Sequence, residues 1–247
     1  MAHAATVPQA RPDASATPAD ARQFVSFSFY RLDPAWRRQP VHTRAAQVSE
    51  LALAIERPPH PLVVCLTYSL VGLKGDADFM VWRVGETVEQ LQEAAGAVNR
   101  TALAGYLTTP YNYLAMTRRS VYVDKLDPDH PDKRRFVTPM RSKYLFVYPF
   151  WKTSEWYMLP MAERQAMMDE HIVTGNKYPS VKIHTSYSFG LDDPEFMLGF
   201  ETDSPRDFLD LVMELREAKA RPYTLRDTPI FTCALAPLDH IFRNLGG

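Results

Sequence analysis

The chain has 247 residues, 46% of them hydrophobic and 23% charged, the balance of an ordinary globular protein long enough to bury a sizeable core. Lys and Arg number 28 against 29 Asp and Glu, so no basic surplus offers itself to nucleic acid and no acidic tail stands out. Only two cysteines occur, Cys65 and Cys233, which excludes a disulfide framework or a zinc knuckle as the organising principle.

Residues 1–23 are dominated by Ala, Pro and Asp and lack the apolar run of a secretory signal, so they read as a disordered tail. No stretch of about 18 apolar residues predicts a membrane span. With unpaired cysteines, the expected compartment is the cytoplasm. Residues 24–30 (FVSFSFY) alternate and read as a strand. Helical spacing of Val41, Ala45, Val48, Leu51, Ala52 and Ile55 predicts a helix over 41–55. Strands at 62–70 and 77–84 follow, joined by a Gly-containing turn, then an amphipathic helix at 86–98.

The same order returns. Strand 144–149 is followed by a helix at 160–174 with Pro160 suited to its first position. Strands 181–189 and 195–201 flank Gly190. A helix at 204–218 takes Ser204 as N-cap and Pro205 as first residue, and a strand at 228–233 closes the pattern. Letters match as well: Tyr68 falls 119 residues before Tyr187, and Phe79 falls 117 before Phe196. Order, type and spacing together predict an α+β fold of two ferredoxin-like β-α-β-β-α-β repeats. The expected division is 24–107 for the N-terminal half, 108–142 for an irregular connector and 143–247 for the C-terminal half. A ligand pocket is expected between the two facing sheets.

The candidates for chemistry are few. There is no HExxH, GxGxxG, Walker loop or GxSxG, which argues against zinc hydrolases, nucleotide binding and α/β-hydrolase chemistry. His171 lies near the end of the 160–174 helix, one turn after Met167 and Met168; it is either a metal ligand or a helix-end partner of the dipole. Tyr148 and Lys152 end a strand with a phenol and an ammonium four residues apart. By residue type alone they are a strand aromatic and a solvated charge. Arg134 and Arg135, in the connector, are by type solvated charges. His184 reads as a polar-face strand residue.

The run from Tyr144 to Cys233 resembles the chlorite dismutase superfamily. It carries YPFWK at 148–152, WYMLPMAERQAMMDEHIVTGNKYP at 156–179 and YSFGLDDPEF at 187–196. The resemblance extends more weakly over nearly all of 24–242. It implies a dimeric α+β barrel subunit, usually assembled as a pentamer, with haem in the second half and its iron held by His171. The branch that the Tyr-Pro-x-x-Lys pattern resembles is coproheme decarboxylase, which turns iron-coproporphyrin III into haem b with hydrogen peroxide. There the resemblance gives Tyr148 the role of radical and Lys152, with Arg134 or Arg135, the holding of propionates. The position of the chlorite dismutase arginine above the iron falls at Ile183, which has no donor and so disfavours chlorite chemistry. It leaves Lys182 or His184 as substitute donors. Glu217, a turn before Ala220, is the acid available to orient His171. Other readings are a chlorite dismutase-like or weakly peroxidatic haem enzyme, and a haem-binding or transfer protein without turnover.

Overall fold

The computed structural model describes residues 21–122 and 136–247. In the N-terminal half, β1 (Phe24–Leu32) leads through a 3-10 turn to helix α1 (Val41–Glu56), then β2 (Val64–Ser69), β3 (Phe79–Gly85), α2 (Val88–Asn99) and β4 (Leu107–Met116). The C-terminal half repeats this: β5 (Tyr144–Lys152), the short α3 (Ser154–Met158), α4 (Met161–Asn176), β6 (Lys182–Tyr187), β7 (Phe196–Thr202), α5 (Pro205–Glu217), the three-residue β8 (Thr224–Arg226) and β9 (Phe231–Leu235). Helix α6 (Leu238–Asn244) follows.

All strand pairings are antiparallel. The halves run β4-β1-β3-β2 and β6-β7-β5-β9, joined by β2 to β9 and by β4 to β6, so eight strands close into a barrel with β8 on the end of β5. The two junctions are related by the repeat. Ser69 pairs with Ala234 and Tyr187 with Met116, and an offset of 118 residues exchanges one pair for the other. The repeat therefore holds, but the Tyr68–Tyr187 letter match is one residue out. Tyr68 lies opposite Met80 and points into the barrel, whereas Tyr187 lies opposite Phe196 and points outward. Since strand side chains alternate, a slip of one residue changes the face. Gly72 and Gly190, again 118 apart, both take positive φ in the turn after these strands.

The stretch after residue 107, read as irregular connector, begins with a ten-residue strand, β4. Its Thr, Pro and Asn residues face outward while Tyr111, Tyr113 and Ala115 pack inward, which diluted the alternation. The last helix, α6, was not foreseen; it returns to cover the first half.

Among the described residues, the expected pocket between the sheets is replaced by packed side chains. The barrel interior is a filled core of Phe27, Phe29, Tyr68, Trp82, Val147, Phe231 and their neighbours. Phe29 of one half stacks on Phe231 of the other at 3.9 Å, and Phe27 on Trp82 at 5.7 Å. Aromatic residues at inward positions fill the space that would otherwise have held a ligand.

Helices cover the outside, unequally. In the first half, Leu51 and Ile55 of α1 are fully buried with Trp36, Phe79, Ile241 and Phe242. In the second, α5 packs well, with Phe208 stacked on Phe146 at 4.0 Å. Helix α4 does not: Gln165 is its one buried residue.

Candidate active site

The offset of 120 residues that carries β1 onto β5 also carries α1 onto α4. It places His171 where the first half has Leu51, and Gly175 where it has Ile55. The two residues that fill the gap between helix and sheet in the first half are thus an imidazole and a hydrogen atom in the second. Among the described residues the outer face is left open along β6, where Ile183 is 40% exposed, while α5 covers Phe146, Tyr148 and Phe200 on β5 and β7.

Alternation along β5 sends Leu145 and Val147 into the barrel and Phe146, Tyr148, Phe150 and Lys152 outward. The strand rise of about 3.3 Å per residue puts Tyr148 and Lys152 roughly 13 Å apart along one face. Tyr148 is buried, its ring stacked on Phe200 at 5.6 Å. Burial raises its phenol pKa well above the usual value; Asp227 adds to this, and Arg216 and Arg221 oppose it. The phenol therefore stays protonated.

Lys152 sits with its ammonium 4.1 Å from the Trp156 ring centre and 5.4 Å from that of Phe150. Burial, aided by Arg221 and resisted by Glu195, lowers its pKa to about 8. Burial likewise lowers His171 to about 4, and the Lys152 ammonium pushes the same way. The imidazole is neutral at pH 7, the form that binds a metal. Its donor set suits an iron porphyrin: one neutral imidazole above an open, mostly apolar sheet face, with cations at the rim. No group of three or more His, Cys, Asp or Glu that could cage a bare ion occurs among the described residues.

Several placements differ from the sequence reading. His184 is not a polar-face residue. It points into the barrel, 6% exposed, with Nε2 2.7 Å from Glu201 and its ring beside Trp82. It cannot serve the outer face, and Lys182, on the same side of the alternation, cannot either. Glu217 is exposed, and among the described residues no hydrogen bond reaches the His171 ring. Arg134 and Arg135 lie outside the described residues. Tyr148, Lys152, His171 and Ile183 are brought to one region: Gly175, a turn beyond His171, leaves its missing Cβ position 3.8 Å from Ile183 Cδ1.

Sequence reasoning missed Arg216 and Arg221. Both pair with Asp227, at 2.5 and 2.8 Å, and both reach Tyr148 electrostatically. It also missed Glu195, which accepts from the Lys152 backbone N–H at 2.7 Å and the Tyr157 hydroxyl at 2.6 Å. Charged residues in the last turn of a helix, just after it or beside a turn carry no pattern that separates them from a solvated surface.

The chain is 29% identical over 225 residues to the coproheme decarboxylase of Mycolicibacterium smegmatis, covering 90% of this chain and 94% of that one. It is 31% identical over 205 residues to the coproheme decarboxylase of Staphylococcus carnosus, covering 76% and 81%. In three dimensions it superimposes on a mutant chlorite dismutase from Candidatus Nitrospira defluvii with a TM-score of 0.82 at 27% identity, over 91% of this chain and 96% of the other. The chlorite dismutase family model matches residues 44–236, and the chain belongs to the chlorite dismutase family.

Proposed function

We propose that the protein binds iron-coproporphyrin III and converts it to haem b by peroxide-dependent oxidative decarboxylation. The observation that carries this reading is the replacement of Leu51 by His171 at the repeat-related position, over a sheet face bearing Tyr148 and Lys152. Bound iron porphyrin supplies the redox chemistry with peroxide. His171 holds the iron. Lys152 and Arg221 hold propionate carboxylates as charged donors, with Arg134 or Arg135 on another propionate.

Tyr148 works beside a propionate. It gives up an electron and its phenolic proton, then recovers a hydrogen atom from the propionate β-carbon. Loss of a second electron from that carbon releases CO2 and leaves a vinyl group. For each propionate, one peroxide and one proton become two waters. Burial keeps the Tyr148 phenol protonated, the form that gives up its electron and its proton together. Ile183 forms an apolar part of the wall and offers nothing to stabilise an oxyanion, which weighs against chlorite as substrate. No helix among the described residues is long and apolar enough to cross a membrane. The reading is of a cytoplasmic homo-oligomer, a pentamer.

Anaerobic loading with iron-coproporphyrin III followed by peroxide titration, with pigments resolved by mass, tests the proposal. Stepwise loss of two CO2 units is expected. Tyr148→Phe should bind the porphyrin with affinity near that of the unsubstituted chain and lose turnover by at least about 100-fold. Tight binding with no mass loss in the unsubstituted chain would move the protein to the carrier class.

A further inference from the structure

The outward face of β6 carries Ile183, Thr185 and Tyr187, while His184 and Ser186 turn into the barrel, where each is buried and hydrogen-bonded. This face looks toward the His171 stripe of α4, as the approach of Ile183 to Gly175 shows. Across the sheet on β7 its partners are Phe200, Leu198 and Phe196, all apolar. Tyr187 is engaged, sharing a hydrogen bond with Ser120. The Tyr148 ring is stacked on Phe200. Thr185, opposite Leu198, is exposed, and its hydroxyl makes no hydrogen bond among the described residues.

We infer that the Thr185 hydroxyl is the hydrogen-bonding group for the small ligand held between the porphyrin and the sheet, which in turnover is peroxide. The inference rests on the porphyrin-binding reading above. Ile183 cannot fill this role, and Lys182 and His184 face away. A hydroxyl donates and accepts at once, so Thr185 can hold either oxygen of peroxide. It is no base near pH 7, so its effect falls on affinity and orientation rather than on proton abstraction.

The test uses fluoride, an anion that only accepts hydrogen bonds, titrated into the ferric iron-coproporphyrin III complex and followed by absorption. Thr185→Val keeps the shape and removes the hydroxyl; Thr185→Ser keeps the hydroxyl. The expected result is fluoride affinity lower by about ten-fold or more in Thr185→Val and within about two-fold of the unsubstituted chain in Thr185→Ser. Porphyrin affinity and thermal midpoint should be unchanged in both, since the side chain is exposed. Thr185→Val with normal porphyrin loading and fluoride affinity unchanged would overturn the inference and leave the porphyrin reading standing. Failure of the unsubstituted chain to take up iron-coproporphyrin III overturns that reading, and the inference with it.

Discussion

The two halves of the barrel share strand order, helix placement and capping, yet what lies between helix and sheet differs. In the first half Leu51 and Ile55 close the gap, reinforced by α6 returning across it. In the second, His171 and Gly175 stand at those positions. Beneath them, Ser28 and Arg83 of the first half, bonded at 2.9 Å, correspond to the stacked pair Tyr148 and Phe200. The comparison teaches that this candidate site was made by withdrawing packing from one copy of a stable unit. The closed copy, together with the filled barrel interior, supplies the rigidity that lets the other copy stay open.

That contrast is broken most directly by paired substitutions at the related positions. His171→Ala should leave the thermal midpoint near that of the unsubstituted chain, because the imidazole is only half-buried and belongs to none of the hydrophobic clusters. It should lower affinity for iron-coproporphyrin III by more than the 10–100-fold typical of losing a partner of a ligand, and shift the absorption spectrum. Leu51→Ala should do the reverse, costing about 2–5 kcal/mol in denaturant unfolding with porphyrin affinity retained. An unchanged spectrum in His171→Ala removes it as the ligand.

A second contrast lies inside the barrel. Leu66 and Val84 of the first half correspond to His184 and Glu201 of the second, and Gly199, opposite His184, leaves room for the imidazole. Glu201 accepts from His184 at 2.7 Å and from the Met140 and Arg141 backbone N–H groups at 2.8 and 2.9 Å. Burial raises its carboxyl pKa, but these bonds outweigh burial and hold it below the ordinary value. A depressed carboxyl contributes stability that is present above the unfolded-state pKa and lost as pH falls through the folded one. Glu201→Gln should therefore cost about 1.5–3 kcal/mol at pH 7, the worth of hydrogen bonds to a charged group, and flatten the acid limb of the stability profile. Urea melts between pH 3 and 7 read both; an acid limb of unchanged steepness would assign it to other carboxylates.

Much of this organisation was legible in the sequence, and the exceptions have physical causes. The repeat, both capped helices and the α+β class follow from alternation and 3.6-residue spacing, which the core enforces directly. Tyr148, Lys152, His171 and Ile183 were singled out through the resemblance, and the structure places them in one region, His171 on α4 and the other three on β5 and β6. The buried His184–Glu201 pair was not, because a histidine on an alternating strand looks the same whether it faces water or a carboxylate 17 residues away. Arg221 was equally silent: its approach to Tyr148 and Lys152 depends on the turn after α5, not on spacing. The filled barrel shows the limit of a general rule, since facing sheets leave a pocket only when their inward residues are small.

Lys152 sharpens the comparison on the ligand side. Its repeat-related residue, Leu32, is buried in the first-half core, so the second half has placed a cation where the first packs a leucine. With its pKa lowered to about 8, Lys152 is protonated below that pH and neutral above it. Affinity for the carboxylate-bearing porphyrin should be highest below pH 8 and decline above it. Lys152→Met should lose about ten-fold in affinity at pH 7, the worth of one charge-assisted hydrogen bond, and should abolish that decline. A decline that survives in Lys152→Met would trace it to another group.

The smallest effects test what the halves kept in common. Thr87 caps α2 through its hydroxyl, accepting from Gln90 N–H at 3.2 Å, and Ser204 caps α5 by accepting from Asp207 N–H at 3.4 Å, 117 residues later. Each satisfies one of the four unpaired donors at a helix start, so Thr87→Ala and Ser204→Ala should each cost about 0.5–2 kcal/mol. The caps lie far apart in different halves, so the double variant should lose the sum of the two. Neither change should alter porphyrin affinity, because both helices pack on sheet faces through residues the substitutions leave in place. If Ser204→Ala alone weakened porphyrin binding, α5 would belong to the site and not merely to its frame. The reach of α5 into the site would then extend from Arg216 in its last turn, already beside Tyr148, back to its first turn.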